Sequence, residues 1–260
     1  MGHLLGVEWG MALLLLSAAA LGGALNAVAG GGSFFTFPAL VLAGVPAVPA
    51  NATSTLALWP GSLASVAAYR RELGEERGRL LWFGGASLAG GVLGALLLVN
   101  TPSAAFERLV PFLLLTATVL FAVGPRATAR LRGSGREASF RAVIAAQFVI
   151  SIYGGYFGGG MGMMMLAAFA LLGMEDLHRM NGLKALLAVA INGVALGTFV
   201  LGGIIAWRLG LLMTVGAMAG GYGGAALAKR VPTSALRLFI IGSGAVLTVV
   251  FFARAFFGRG

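Results

Sequence analysis

Few side chains of this chain could do covalent chemistry, and they are scattered. The acidic residues are Glu8, Glu72, Glu75, Glu76, Glu107, Glu137, Glu175 and Asp176. Glu8 falls within an apolar stretch, near its outer end. General acid–base work needs carboxylates or imidazoles converging on one bond, and a metal site needs several such ligands at close spacing. The two histidines, His3 and His178, are far apart in sequence, and cysteine is absent. Thiolate nucleophiles, thiolate metal sites and disulfides are therefore excluded. Gly61-Ser62 lacks the Gly-x-Ser-x-Gly frame of a nucleophile elbow. Met161, Met163, Met164 and Met165 suggest a soft-metal site only at first sight, because three are consecutive and point around a helix. This pattern argues against an enzyme, a lipid-modifying one included, and implies neither cofactor nor metal.

What remains is chemistry of the backbone and of neutral donors. In Asn26-Ala-Val-Ala-Gly-Gly-Gly-Ser-Phe-Phe-Thr-Phe-Pro38, the glycines Gly30, Gly31 and Gly32 interrupt an apolar run just before Ser33. Such a break exposes the N-terminus of the next helix, whose free N–H groups and dipole favour an anion. A second copy is Tyr153-Gly-Gly-Tyr-Phe-Gly-Gly-Gly-Met-Gly162, with Gly158, Gly159, Gly160 and Gly162. Close helix packing is the alternative reading of these glycines. Asn51, Thr53 and Ser54 precede another apolar run, as anion donors or as helix caps. Their counterpart is Met180-Asn181-Gly-Leu-Lys184. Lys184 lies just inside an apolar segment, either facing a bound anion or snorkelling to the surface. Asn192 lies two helical turns further on, where it could share a face with Lys184 or bond to a neighbouring helix.

These groups must be positioned by membrane helices. The chain has 260 residues, of which 59% are hydrophobic and 10% charged. A soluble domain carries about 25% charged residues. At about 20 residues per span, the length allows eight full crossings, or ten if two are short. The apolar segments run over about 4–28, 33–43, 52–69, 80–99, 106–123, 142–157, 161–172, 182–206, 209–228 and 234–253. The second and seventh are too short for a full span. A charged loop covers 70–79 and a basic linker 124–141. That linker has one aromatic residue, Phe140, and points away from nucleic acid. The N-terminal segment lacks a basic leading region and reads as a first span, not a cleaved leader. Trp59, Trp82 and Trp207 suit interface anchors, although Trp59 sits mid-segment and could line a pathway.

The order long, short, long, long, long occurs twice. Asn51 recurs as Asn181, Gly90-Gly91 and Gly94 as Gly220-Gly221 and Gly224, and Pro102 as Pro232, each 130 residues later. The expected fold is an all-α polytopic membrane protein of about 8–10 segments. It has two inverted five-segment repeats, 1–123 and 142–260, joined by a cytoplasmic linker, with a broken or re-entrant helix in each half. Charge supports ten crossings. With the linker inside, 14 of the 18 Lys and Arg fall inside, against 12 if each short segment merges with its predecessor. Both termini then lie outside.

The chain resembles the sulfite exporter TauE/SafE family of membrane permeases. The resemblance rests on Asn26 through Ser33 and Pro38, on Gly44 and Ala50-Asn-Ala-Thr-Ser54, and on a looser second copy, Gly158-Gly-Gly to Asn181-Gly-Leu-Lys184 and Asn192. In that second copy Leu166 stands about where Pro38 falls in the first. The resemblance implies export of a sulfur-containing anion, such as sulfite or an organosulfonate, across the bacterial inner membrane. The partners are then the anion and the lipid bilayer, with a homo-oligomer open. Alternating access would hold the oxyanion on the amides of 30–33 and 158–162, helped by Asn51, Ser54, Asn181 and Lys184. An anion or small-solute channel would show the same features.

Overall fold

The computed structural model describes residues 3–4, 7–28, 31–68, 77–135, 137–228 and 233–257. Among them are ten helices: α1 (Trp9–Val28), α2 (Ser33–Leu42), α3 (Ala47–Ala68), α4 (Arg77–Val99), α5 (Ser103–Gly133), α6 (Phe140–Tyr156), α7 (Met161–Leu171), α8 (Leu177–Leu201), α9 (Trp207–Ala228) and α10 (Thr233–Phe256). A small antiparallel hairpin, β1 (His3–Leu4) with β2 (Val7–Glu8), precedes them. Five helices are long and apolar enough to cross a membrane: α1, α4, α5, α8 and α10.

Both breaks fall between helices, as expected: Gly31 and Gly32 at the first, and Gly158, Gly159 and Gly160 at the second. The first separates α1 from the 10-residue α2, and the second separates α6 from the 11-residue α7. Both short helices end alike. Gly44 (φ 85°) and Gly173 (φ 78°) adopt the left-handed conformation. Their N–H groups reach the Val41 and Ala170 carbonyls, and the next residues reach back to Leu40 and Phe169. These paired bonds form a Schellman stop, which glycine permits at no steric cost.

α7 folds back along α6. The Ala138 N–H, just before α6, donates to the Leu171 carbonyl at the end of α7 (2.7 Å). Phe83 ties the same end together, touching Phe140 at the start of α6 and Phe169 near the end of α7. α2 returns against α1 in the same way, with Gly32 packed on the Gly22 carbonyl; a Cβ on Gly32 would lie 2.6 Å from that oxygen.

Two seams bring backbones together, and both are made by glycine. In the α4–α6 seam, a Cβ on Gly94 would overlap the Ile152 carbonyl and one on Gly155 the Gly91 carbonyl. In the α1–α9 seam, Gly220 meets the Ala20 carbonyl and Gly23 that of Ala217. Small residues allow this approach where lipid supplies no hydrophobic drive. α3 crosses α8, and α5 lies along α10 through Phe112 with Phe252 and Phe256.

Each short helix sits in its own core. Phe34, Phe37 and Leu40 of α2 pack with Phe106, Leu114, Phe121 and Phe199. Met165 and Phe169 of α7 pack with Phe83, Met180, Leu187 and Ile191. The methionines fill space, with Met161 and Met165 buried. Leu13, Leu81, Trp82, Leu201, Leu211 and Val249 face outward, a surface that lipid would cover.

Three boundaries differ from expectation. The first helix starts at Trp9, which leaves Glu8 exposed on β2, outside the apolar helix. α5 continues through Gly133, so the first ten residues of the expected linker are helical; Pro111 and Pro125 sit within it without ending it. α3 begins at Ala47, so Asn51 and Ser54 lie inside the helix and do not cap it. Most of the charged loop after α3 lies outside the described residues.

Candidate functional site

The site is built where α3 and α8 cross beside the two helix breaks. Trp59 of α3 donates its indole N–H to the Val189 carbonyl of α8 (3.0 Å). Gly193, one turn on, leaves room for the ring; a Cβ there would sit 3.3 Å from the indole nitrogen. Pro60 follows Trp59 within α3 and carries no backbone N–H to donate.

The first break is lined by neutral donors. Asn26, near the end of α1, donates to the Ser62 hydroxyl of α3 (3.0 Å). Deeper in, the Thr36 and Ser54 hydroxyls share a hydrogen bond of 2.6 Å, and both residues are buried. Gly31 faces Phe121, Gly32 is packed on Gly22 and Leu58, and Ser33 opens α2 half-buried. Gly30 lies outside the described residues.

The second break carries the charge. Gly158 (φ 82°) and Gly160 (φ 79°) are left-handed, and Gly160 precedes α7 with no side-chain cap. The Tyr153 hydroxyl donates to the Gly159 carbonyl (2.6 Å) and holds the turn. Gly162 lies in the first turn of α7 under Lys184, where an added Cβ would sit 3.2 Å from Lys184 Cδ. Lys184 Nζ donates to Asn181 Oδ1 (2.8 Å). Asn192 reaches the same break, its Oδ1 lying 3.9 Å from where a Cβ on Gly158 would be.

The structure thus joins Asn181 to Lys184, sets Lys184 against Gly162 and Asn192 against Gly158 at different heights of the second break, and places Asn26, Gly31, Gly32, Ser33 and Ser54 around the first. Asn51 and Thr53 each bond to a neighbouring helix or its start. Asn51 Nδ2 donates to the Tyr156 carbonyl at the end of α6 (3.1 Å), an acceptor its own helix leaves free. Thr53 accepts the Ala206 N–H just before α9 (3.0 Å). Sequence reasoning left Ser62, Thr36 and Tyr153 out of the site and gave Trp59 no partner. A signal existed for two of them: Ser62 stands 130 residues before Asn192, and Trp59 130 before Val189.

Asp176 anchors the α8 end of this arrangement. Its carboxylate accepts the His178 and Arg179 N–H groups (2.8 and 3.4 Å) and caps the helix. The His178 N–H chiefly holds this carboxyl below its ordinary range, helped by Arg179. Among the described residues, no group of three or more His, Cys, Asp or Glu could hold a metal ion.

A family model for the sulfite exporter TauE/SafE matches residues 15–251. The chain belongs to the sulfite exporter TauE/SafE family. A probable membrane transporter protein, ORF9, of Sinorhizobium sp is 30% identical over 79% of this chain and 78% of its own length. One from Haemophilus influenzae is 28% identical over 84% and 85%. The probable membrane transporter YfcA of Escherichia coli K12 is 28% identical over 90% and 87%. No solved structure matches the chain. As a TauE/SafE member with five helices fit to cross a bilayer, this chain is a multi-pass membrane protein. The TauE/SafE match takes in both helix breaks and every polar group described above.

Proposed function

We propose that the protein is a secondary transporter of the bacterial inner membrane that exports a sulfur-containing anion, sulfite or an organosulfonate, by alternating access. The observation that carries this reading is the pair of helix breaks, one packed beside α3 and the other beside α8, with Lys184 at the second the cation among the described residues there. Broken helices at matching places in two halves are where transporters hold ions and substrates.

The halves are read as inverted repeats, 1–123 and 142–260, joined on the cytoplasmic side. Support comes from contacts that exchange. Up to the short helices the offset is 128, as from Gly30 to Gly158; after them it is 130. Under these offsets Gly90 against the Phe148 carbonyl becomes Gly220 against the Ala20 carbonyl. The Ser87–Ser151 pair becomes Ala217–Gly23, again a contact in the opposite seam. The pair Trp59–Val189 becomes itself, as a pair on a pseudo-twofold axis must. The return of α7 toward the start of α6 agrees with the ten-crossing arrangement favoured by charge.

In this reading the oxyanion lies against Lys184 and the amides of 158–162, with Asn181 holding Lys184 on one side and Asn192 beside Gly158 on the other. The first break, with Asn26, Ser33 and Ser54, forms the facing wall. Counterflow in proteoliposomes tests it. Unlabelled sulfite or a sulfonate inside should accelerate uptake of labelled anion. Flux without such acceleration would make the protein a channel.

A further inference from the structure

Positions 54 and 184 correspond across the two halves, and they are chemically unlike. At the first, the Ser54 hydroxyl shares a hydrogen bond with that of Thr36. At the second, the residues in the same places are Lys184 and Met164. A thioether accepts hydrogen bonds only weakly, whereas an ammonium has three protons to place. Lys184 places one on Asn181. Among the described residues no carboxylate comes within ion-pair distance of it; the acid nearest in sequence, Asp176, pairs with Arg179. Among the described residues, the buried polar ones are neutral, as Thr36, Asn51, Ser54, Gln147 and Ser151 are.

From this arithmetic, and resting on the transporter reading above, we infer that the site takes one monovalent anion, whose charge Lys184 compensates at the α7 break. A hydrogensulfite or a sulfonate satisfies this. A dianion would carry one negative charge into a region where the described residues place no second cation, and an uncompensated charge there is expensive. There is an electrical consequence. The loaded site is neutral and the empty site is positive, so voltage acts on the return of the empty carrier. An inside-negative potential then drives export without an intramembrane carboxylate relay.

Methanesulfonate and sulfate separate charge from shape, since both present a tetrahedral sulfur with oxygen atoms. With the purified full-length protein at constant ionic strength, thermal stabilisation should give methanesulfonate at least about a tenfold affinity advantage, equivalent to 1.4 kcal/mol. Equal or tighter sulfate binding overturns the inference and leaves the transporter reading standing. Stabilisation by neither anion, nor by sulfite, removes both. Lys184→Arg should keep the preference, and Lys184→Ser, which copies the first half, should abolish it. An unchanged preference in a folded Lys184→Ser protein overturns the inference, because a lysine that only reaches the surface would leave affinity unaltered. If that variant does not fold, wild-type liposomes decide. Methanesulfonate counterflow should not respond to an imposed potassium–valinomycin potential, while net efflux should accelerate at inside-negative values. Voltage-dependent counterflow overturns the inference.

Discussion

At the scale of single residues, the chain uses neutral polar groups to fasten helices, and Lys184 sits beside the second helix break. Asn51 illustrates the first use. Asn51→Ala removes its bond to the Tyr156 carbonyl and should cost about 1 kcal/mol, the range for interhelical bonds in membranes. Unfolding in mixed micelles measures it, and the same variant should retain anion binding. Asp176 gives a pH-dependent case. Its carboxyl is held below the ordinary range by the His178 N–H, so the cap is fully effective above the unfolded value and is lost as pH falls through the folded one. Asp176→Ala should therefore melt below wild type at neutral pH, and the two should converge in acid. A gap that persists once the carboxyl is protonated would mean that the cap is not its source. Asn51, Lys184 and Asn192 were legible in the sequence as polar groups in apolar surroundings. Their partners were not, because Asn51 meets a carbonyl 105 residues away.

Helices in this molecule are positioned by where glycine lets them touch. Gly94→Val and Gly220→Val would drive side chains into the Ile152 and Ala20 carbonyls. Each should destabilise by about 3 kcal/mol or more, since backbone has to shift. Gly197→Ala, where nothing lies within 4 Å, should leave stability unchanged or slightly raised. Denaturation of the three variants side by side checks the contrast. The helix breaks were readable because glycine triplets cannot sustain an apolar helix cheaply. The long α5 was not. Charged residues from Arg126 to Arg132 read as a linker, yet the helix carries them on to Gly133, where Arg132 reaches the Glu175 carbonyl.

For the whole molecule, the return of α7 sets the order of loops. Residues 134–135, 137–139 and 172–176 lie at one end, held by the Ala138–Leu171 bond. The loops at 43–46 and 202–206 should open at the opposite end. Because the chain has no cysteine, single cysteines at Ser134, Glu175, Gly44 and Gly203 can be labelled one at a time in intact cells. An impermeant thiol reagent should react with Gly44→Cys and Gly203→Cys and spare the other two. Reaction at all four, or the reverse pattern, would reject the orientation read from charge.

Composition and residue order by themselves determined that this chain lives in a membrane, that it is helical, where its helices are interrupted, and that Lys184 lies just inside a span. Those properties depend on residues near one another in sequence: apolar runs too long and too poor in charge for water, and glycines too many and too close for a helix. The tertiary structure decided which break holds the cation, that α7 turns back along α6, and that Asn51 and Thr53 fasten neighbours while Lys184 keeps protons to place. Those outcomes depend on contacts between residues often more than a hundred positions apart, such as Trp59 with Val189. Local pattern carries no information about which of several equivalent polar groups will be brought together.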